Sequence, residues 1–515
     1  MQAERISQVG VSTPHSAATD AAAEVVRAGG SVVDAAIVAA VVLTVVYPHN
    51  TGIGGDLIAL HRSPDGVITC VNASGPAPSG VDVDELRTRH PGGMPVDGPD
   101  TITVPGSVAG WQRLYELGGS LPWAALFDRA IELAVDGVPV APSLAMAIAG
   151  ISRENTDLYE LFSIEGRRLG HGETLVQPAL ARTIAAIATD GPRALYGGEV
   201  GRAMAAGLRK RGAAISLDDL ARYSCRTVEP LSADALGWTL WTAPPNSQGF
   251  SLLRTLTAYE RSATGAAGEV DAAVLAELFY RANAERDRLL ADPDFAPHAT
   301  AELLATDRPA RAAVGEVATS PYPNGDTVAV TVMADDGSAV SLIQSLFHSF
   351  GSQVCEPSTG LILHNRGAFF SLDADSPNVI APGKRPAHTL MPLLVTRGES
   401  LSLCAGTMGG KGQPQIHAQI LMNLRAGATL AEAVAAPRWI VGGLEVGQDE
   451  SVVHAEASVA EATRARLAAD GWTVTDLDDH SEETGHAQYV GRAEDGSLVA
   501  AADPRADGTA LVVPR

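Results

Sequence analysis

Thr327-Val328-Ala329-Val330-Thr331-Val332-Met333, then Asp335-Asp336-Gly337, then Ala339-Val340-Ser341-Leu342-Ile343-Gln344-Ser345 is the stretch on which the fold turns. Two alternating runs rich in β-branched residues flank a turn signal, which predicts a β-hairpin. With the turn centred on Asp336, facing residues sum to 672, so Thr327 is expected opposite Ser345, within one residue. Two hydroxyls then meet at the open end of the hairpin. Upstream, DRPARAAVGEVATSPYPNGD, between Thr306 and Asp326, has three prolines and no hydrophobic period, and it is expected to form a loose surface linker.

Earlier in the chain, Ala-rich helical patterns alternate with glycine turns. Helices are expected near Ala17–Ala28 and, as a buried element, near Val33–Val46, with strands near Leu57–His61 and Gly66–Asn72. From about Leu121 to Leu304 helical patterns such as WAALFDRAIELAVDG and PALARTIAAIATDG predominate, and few strands are expected there. No period of 20–50 residues recurs, which excludes solenoids and propellers.

Composition narrows the function classes. A chain of 515 residues is long enough for a deep core or two domains. Its formal net charge of −23 repels phosphate backbones and anionic lipid, so neither nucleic acid nor a membrane is an expected partner. The most apolar run, Ala35–Val46, is too short to span a bilayer. With no basic, apolar leader visible, a cytoplasmic location is expected. Cys70, Cys225, Cys355 and Cys404 are scattered without a CxxC pair and read as buried small side chains, not as metal ligands or disulfides.

Common catalytic signatures are absent: no GxSxG, no HExxH, and GTMGGKG (Gly406–Gly412) fails the phosphate-loop spacing. TGIGGD (Thr51–Asp56) fails the dinucleotide pattern and reads as a tight turn before a strand. Thr327 is the remaining signal. Were the Asp326–Thr327 bond cut, its free α-amine, with an ordinary pKa of about 7.7–8.0, would stand beside its own hydroxyl as general base. Taken alone, a threonine at a strand start is simply a favoured strand residue.

The order of motifs carries the reading further. TPHSAAT (Thr13–Thr19), GGSVVDAA (Gly29–Ala36), PHNTGIGGD (Pro48–Asp56), VPGSVAGW (Val104–Trp111), LPWAAL from Leu121, PPNSQG (Pro244–Gly249), the hairpin from Thr327, GKRPAHTLMP (Gly383–Pro392), GTMGG (Gly406–Gly410), EAVAAPRW (Glu432–Trp439) and ADPR (Ala502–Arg505) together resemble the γ-glutamyltransferase family of N-terminal-nucleophile hydrolases over nearly the whole chain. The resemblance implies an α+β fold, a four-layer αββα sandwich. It also implies a precursor that cuts itself before the nucleophile into residues 1–326 and 327–515, which stay packed as one unit. Thr327 falls at the family's nucleophile, Ser345 at the hydroxyl that orients it, and Gly409-Gly410 at the oxyanion donors. A Gly-Gly pair suits that role because two N–H groups can approach a developing O⁻, each worth about 3–4 kcal/mol; a lone pair of glycines is otherwise a turn.

Departures from the family concern substrate. Where γ-glutamyl enzymes hold the α-carboxylate with an arginine, this chain has Ser74; where they hold the α-amine with an aspartate, it has Phe369, with Phe347 in place of a helpful asparagine; His388-Thr389 replaces a serine pair. A site that has lost its charged partners is expected to reject a glutamate zwitterion. Arg366, in HNRGAFF, reads either as a fork for an acidic acyl group or as half of a structural ion pair. His388 reads as substrate-binding or as a hydrogen-bonded core histidine. NRGAFF and KRPAHTL resemble the branch that includes oxamate amidohydrolases and biosynthetic members.

The expectation is therefore a self-processing hydrolase of a small amide or other acyl substrate, needing no metal or organic cofactor. The processed fragments are expected to associate, as a homodimer or heterotetramer. Transfer to an amine, a genuine glutathione hydrolase, carbon–carbon cleavage in secondary metabolism, and an unprocessed binding protein are the alternatives.

Overall fold

The computed structural model describes residues 7–262, 270–305, 325–444 and 447–515. Most of the expected linker, from 306 to 324, lies outside these residues.

Thirteen strands among the described residues build two large sheets. They are β1 (Gln8–Thr13), β2 (Asp56–Arg62), β3 (Ile68–Ala73), β4 (Arg226–Val228), β5 (Leu231–Ala235), β6 (Trp238–Thr242), β7 (Asp326–Ala334), β8 (Ala339–Phe347), β9 (Leu393–Arg397), β10 (Ser400–Thr407), β11 (Ala487–Arg492), β12 (Leu498–Ala502) and β13 (Thr509–Pro514). One sheet runs β13-β1-β7-β8-β2-β3-β4 and the other β12-β11-β10-β9-β6-β5. Their facing sides bury Ile58, Leu60, Ala329, Met333, Ile343, Leu394, Cys404 and Val490 against one another. Helices cover both outer sides, and the result is the αββα sandwich.

Alternation in β7 explains its central place. Val328, Val330 and Val332 point into the helical layer, whereas Ala329 and Met333 point to the second sheet, as the period of two requires. The sheets approach closely where a Cβ on Gly406 would come within 2.6 Å of Ile343 Cδ1 and 2.9 Å of Ala329 Cβ; only glycine fits there.

The outer layer on the first sheet contains α1 (Ser16–Arg27) and α2 (Val32–Val46). All fifteen residues of α2 are buried, which is why its sequence is apolar all round rather than on one stripe. Its start is fixed by a reciprocal Ser31–Asp34 capping box. Over the second sheet lie α3 (Phe250–Glu260), α4 (Ala272–Leu289) and α5 (Gln413–Arg425).

The two regions divided by the Asp326–Thr327 bond share the first sheet. Strand β7 pairs with β1 on one side, and β8 pairs with β2 on the other. The expectation of few strands between Leu121 and Leu304 needs correction, because β4, β5 and β6 complete the edges of both sheets. Three of the cysteines are buried, but Cys225 is only partly so, and all four are free thiols. Among the described residues no helix is long and apolar enough to cross a membrane.

Candidate active site

The β7–β8 hairpin delivers both hydroxyls. Facing residues sum to 672 from Met333↔Ala339 down to Val328↔Gln344, as the turn chemistry predicts, but Asp326 then faces Phe347. Ser345 and Leu346 thus both oppose Thr327, a β-bulge that re-aims the strand end. The next residue, Phe347, adopts φ +82°, a strained value for a bulky side chain.

At this bulge the intact Asp326–Thr327 peptide is surrounded by hydroxyls. Thr327 is 1% exposed. Its Oγ1 lies 2.7 Å from the Asp326 carbonyl oxygen and 3.2 Å from Ser345 Oγ. Ser345 Oγ lies 2.7 Å from the same carbonyl oxygen and accepts the Phe347 N–H at 2.7 Å. Replacing Ser345 with alanine removes a polar partner of that carbonyl, a loss of about 1.5–3 kcal/mol if charge develops on the oxygen. Cleavage is therefore expected to slow by about ten- to a hundredfold, followed as a time course on a denaturing gel. An unchanged rate would contradict the role of Ser345.

Gly409 and Gly410 follow β10, just beyond the point where Gly406 crosses β7, and have φ of +134° and +47°. Two contacts hold this turn. Met408 N–H donates to His486 O at 3.0 Å, and Gln248, of PPNSQG, donates through Nε2 to Gly410 O at 2.8 Å. Arg438 donates to Gly485 O at 2.9 Å, while Arg505 and Thr484 share Glu456. The EAVAAPRW and ADPR motifs thus brace the turn that braces the glycines.

The expected substrate residues gather behind Ser345, around a group the sequence reading treated only as a turn residue. Asp56, which faces Ser345 across β2 and β8, is fully buried and binds Arg366 Nε at 2.9 Å and His388 Nε2 at 2.7 Å. Arg366 also donates to Thr389 Oγ1 at 3.2 Å and lies over the Phe347 ring at 4.4 Å. Burial alone would raise the Asp56 pKa, but Arg366 and His388 hold it well below the usual carboxylate range. Burial and the Arg366 charge push His388 down to about 4. It is neutral, with Leu390 N–H donating to Nδ1 at 3.2 Å.

Arg366 thus makes a buried ion pair, with the Asp56 carboxylate in its fork. His388 is hydrogen-bonded at both ring nitrogens. Ser74 Oγ sits 2.7 Å from Asn72 Oδ1 and accepts from Asn246 at 3.2 Å, and Phe369 packs edge-on against Phe347.

A second group, absent from the sequence reading, lies on the Asp326 side. The pKa of the Asp326 carboxyl is pushed up to about 7 by burial and the charges of Glu482 and Glu483. Burial and Asp507 likewise push Glu482 up to about 7. Beside them are Tyr47 and His49, with ring centres 4.3 Å apart, and His486. Burial holds both histidines neutral, at about 3 and about 4. Among the described residues neither ring nitrogen of His486 has a hydrogen-bond partner, nor has His49 Nδ1.

This arrangement has relatives. Residues 18–513 match the family model described as gamma-glutamyltranspeptidase. The chain belongs to the γ-glutamyltranspeptidase family. It is an N-terminal-nucleophile hydrolase of that family. The oxamate amidohydrolase proenzyme of Klebsiella pneumoniae is 35% identical over 99% of each chain. The glutathione hydrolase-like YwrD proenzyme of Bacillus subtilis is 33% identical over 97% of this chain and 98% of its own. Cephalosporin acylase from Bacillus halodurans superposes with a TM-score of 0.87 at 29% identity, covering 98% of this chain and 96% of that one. Amidohydrolases, glutathione hydrolases and acylases thus share this family, and its αββα fold is the fold described above.

Proposed function

We propose that this chain is a precursor that cuts its own Asp326–Thr327 bond and then hydrolyses the amide of a small acyl group other than γ-glutamyl. The supporting observation is the Thr327 hydroxyl 2.7 Å from the Asp326 carbonyl oxygen, with Ser345 at the same oxygen. In this reading the freed Thr327 amine takes the hydroxyl proton as Oγ1 attacks the substrate carbonyl, then passes it to the leaving amine. Gly409 and Gly410 stabilise the oxyanion, and water releases the acyl group. Residues 1–326 and 327–515 stay together because they share a sheet. The processed protein acts in the cytoplasm.

Substrate choice follows from the walls. Ser74 is engaged with Asn72 and Asn246, Phe369 is apolar, and the Arg366 fork is filled by Asp56, which leaves no charged pair for a glutamate zwitterion. Burying an ammonium group unpaired costs several kcal/mol, and each 1.4 kcal/mol is about tenfold in affinity. A γ-glutamyl anilide is therefore expected to have a kcat/KM at least about a hundredfold below that of the best short amide, with oxamate and other small amides as the comparison set and ammonia release as the readout. Efficient turnover of the anilide would contradict this reading.

A further inference from the structure

PPNSQG, residues 244–249, lies on the 1–326 side of the Asp326–Thr327 bond and grips the 327–515 side. Asn246 Nδ2 donates to Pro386 O at 2.7 Å, and Asn246 O accepts the His388 N–H at 2.8 Å. Ser247 Oγ donates to Leu390 O at 2.6 Å, and the Gln248 N–H donates to His388 O at 3.0 Å. The backbone from which the Gln248 side chain leaves is therefore fixed. That side chain is 0% exposed. Its Nε2 donates to Thr389 O and to Gly410 O, each at 2.8 Å, while Oε1 accepts from Arg286 Nη1 at 3.4 Å. Reversing the amide would set its oxygen against two carbonyl oxygens, so the partners themselves dictate which end points at the glycines.

The two carbonyls belong to different parts of the site. Thr389 Oγ1 accepts from Arg366 at 3.2 Å, and Arg366 holds Asp56, which faces Ser345. Gly410 belongs to the turn after β10. This turn closes on itself, because the Gly412 N–H donates to Gly409 O at 2.7 Å and the Gln413 N–H donates to Gly410 O. Internal bonds set the shape of such a turn, but not its distance from Thr327. Glycines have no side chains through which packing could set that distance, so contacts from outside the turn must do so.

We infer that Gln248 is a positioning residue for the oxyanion turn: one amide, carried by residues 1–326, sets the Gly409 and Gly410 N–H groups relative to Thr327 and Ser345. The inference rests on the roles of Thr327 and the two glycines proposed above. It separates the two reactions. In the uncut chain the Asp326 carbonyl oxygen is met by the Thr327 and Ser345 hydroxyls, so self-cleavage draws on those hydroxyls, whereas turnover draws on the glycines. Loss of the Gln248 side chain leaves the Thr389 segment its Ser247 and His388 anchors and releases the glycine turn.

Two variants of similar size test this. Gln248→Met lacks the amide protons; Gln248→Glu keeps the shape and the contact to Arg286 but turns a carboxylate oxygen toward the two carbonyls. Both are expected to cut at Asp326–Thr327 within about twofold of the wild-type rate. Once cut, both should hydrolyse the best small amide with kcat about ten- to a hundredfold lower and KM unchanged, since displaced oxyanion donors act in the transition state alone. Deuterium exchange of the peptide spanning residues 408–413 should rise in both. Cleavage slowed in step with kcat, a rise in KM alone, or an unchanged kcat would overturn the inference while leaving the hydrolase reading intact. A wild type that hydrolyses no small amide would overturn the hydrolase reading instead, and the exchange measurement then decides alone: faster exchange confined to residues 408–413 keeps the role of Gln248, and unchanged exchange overturns it.

Discussion

Thr327→Ala is expected to remain a single chain of 515 residues after prolonged incubation and to turn over no amide. The wild-type hydroxyl is poised 2.7 Å from the carbonyl oxygen of the bond to be cut, and alanine offers no nucleophile for either reaction. Alanine is smaller than threonine and removes only one methyl and one hydroxyl group from a residue that is 1% exposed, so folding is expected to persist, which circular dichroism and gel filtration check. Loss of both cleavage and turnover distinguishes this residue from Ser345, whose removal slows cleavage without abolishing it. Cleavage at the same bond in the Thr327 variant would assign the reaction to another group.

Arg366→Ala carries the largest expected cost in stability. The substitution strands Asp56, which is 0% exposed, without its cation, and breaking a buried pair from one side typically costs about 3–5 kcal/mol. It also removes the guanidinium that the Phe347 ring lies against, beside the strained residue that closes the bulge. Chemical denaturation should show the loss, and cleavage should slow because Ser345 is paired with Asp56 across the sheet. Removing both charges, in Arg366→Ala/Asp56→Ala, should recover part of the stability, since no charge is then left unpaired. A fully stable single variant whose KM alone rises would instead point to a guanidinium that binds substrate.

How far these features can be read without a structure depends on sequence range. The hairpin was legible because alternation, β-branching and a turn lie within about twenty residues, and the 672 register follows from them. The bulge was not, because nothing in Ser345-Leu346-Phe347 announces the extra residue. Strands β4 to β6 escaped notice because they are short, with β4 and β5 largely exposed, set between helices and next to prolines, so their pairing is decided by distant partners. Thr327, Ser345 and the glycines could be named from motifs. The partner of Arg366 could not, since Asp56 lies 310 residues away at the end of a glycine turn that looked purely structural.

The central claim is that the chain makes its own nucleophile. Intact-mass measurement of the purified wild-type protein after incubation at neutral pH, with N-terminal sequencing of the smaller species, tests it most directly. The account predicts masses for residues 1–326 and 327–515, with the smaller fragment beginning Thr-Val-Ala-Val. A single uncut mass in a preparation that hydrolyses amides would contradict it.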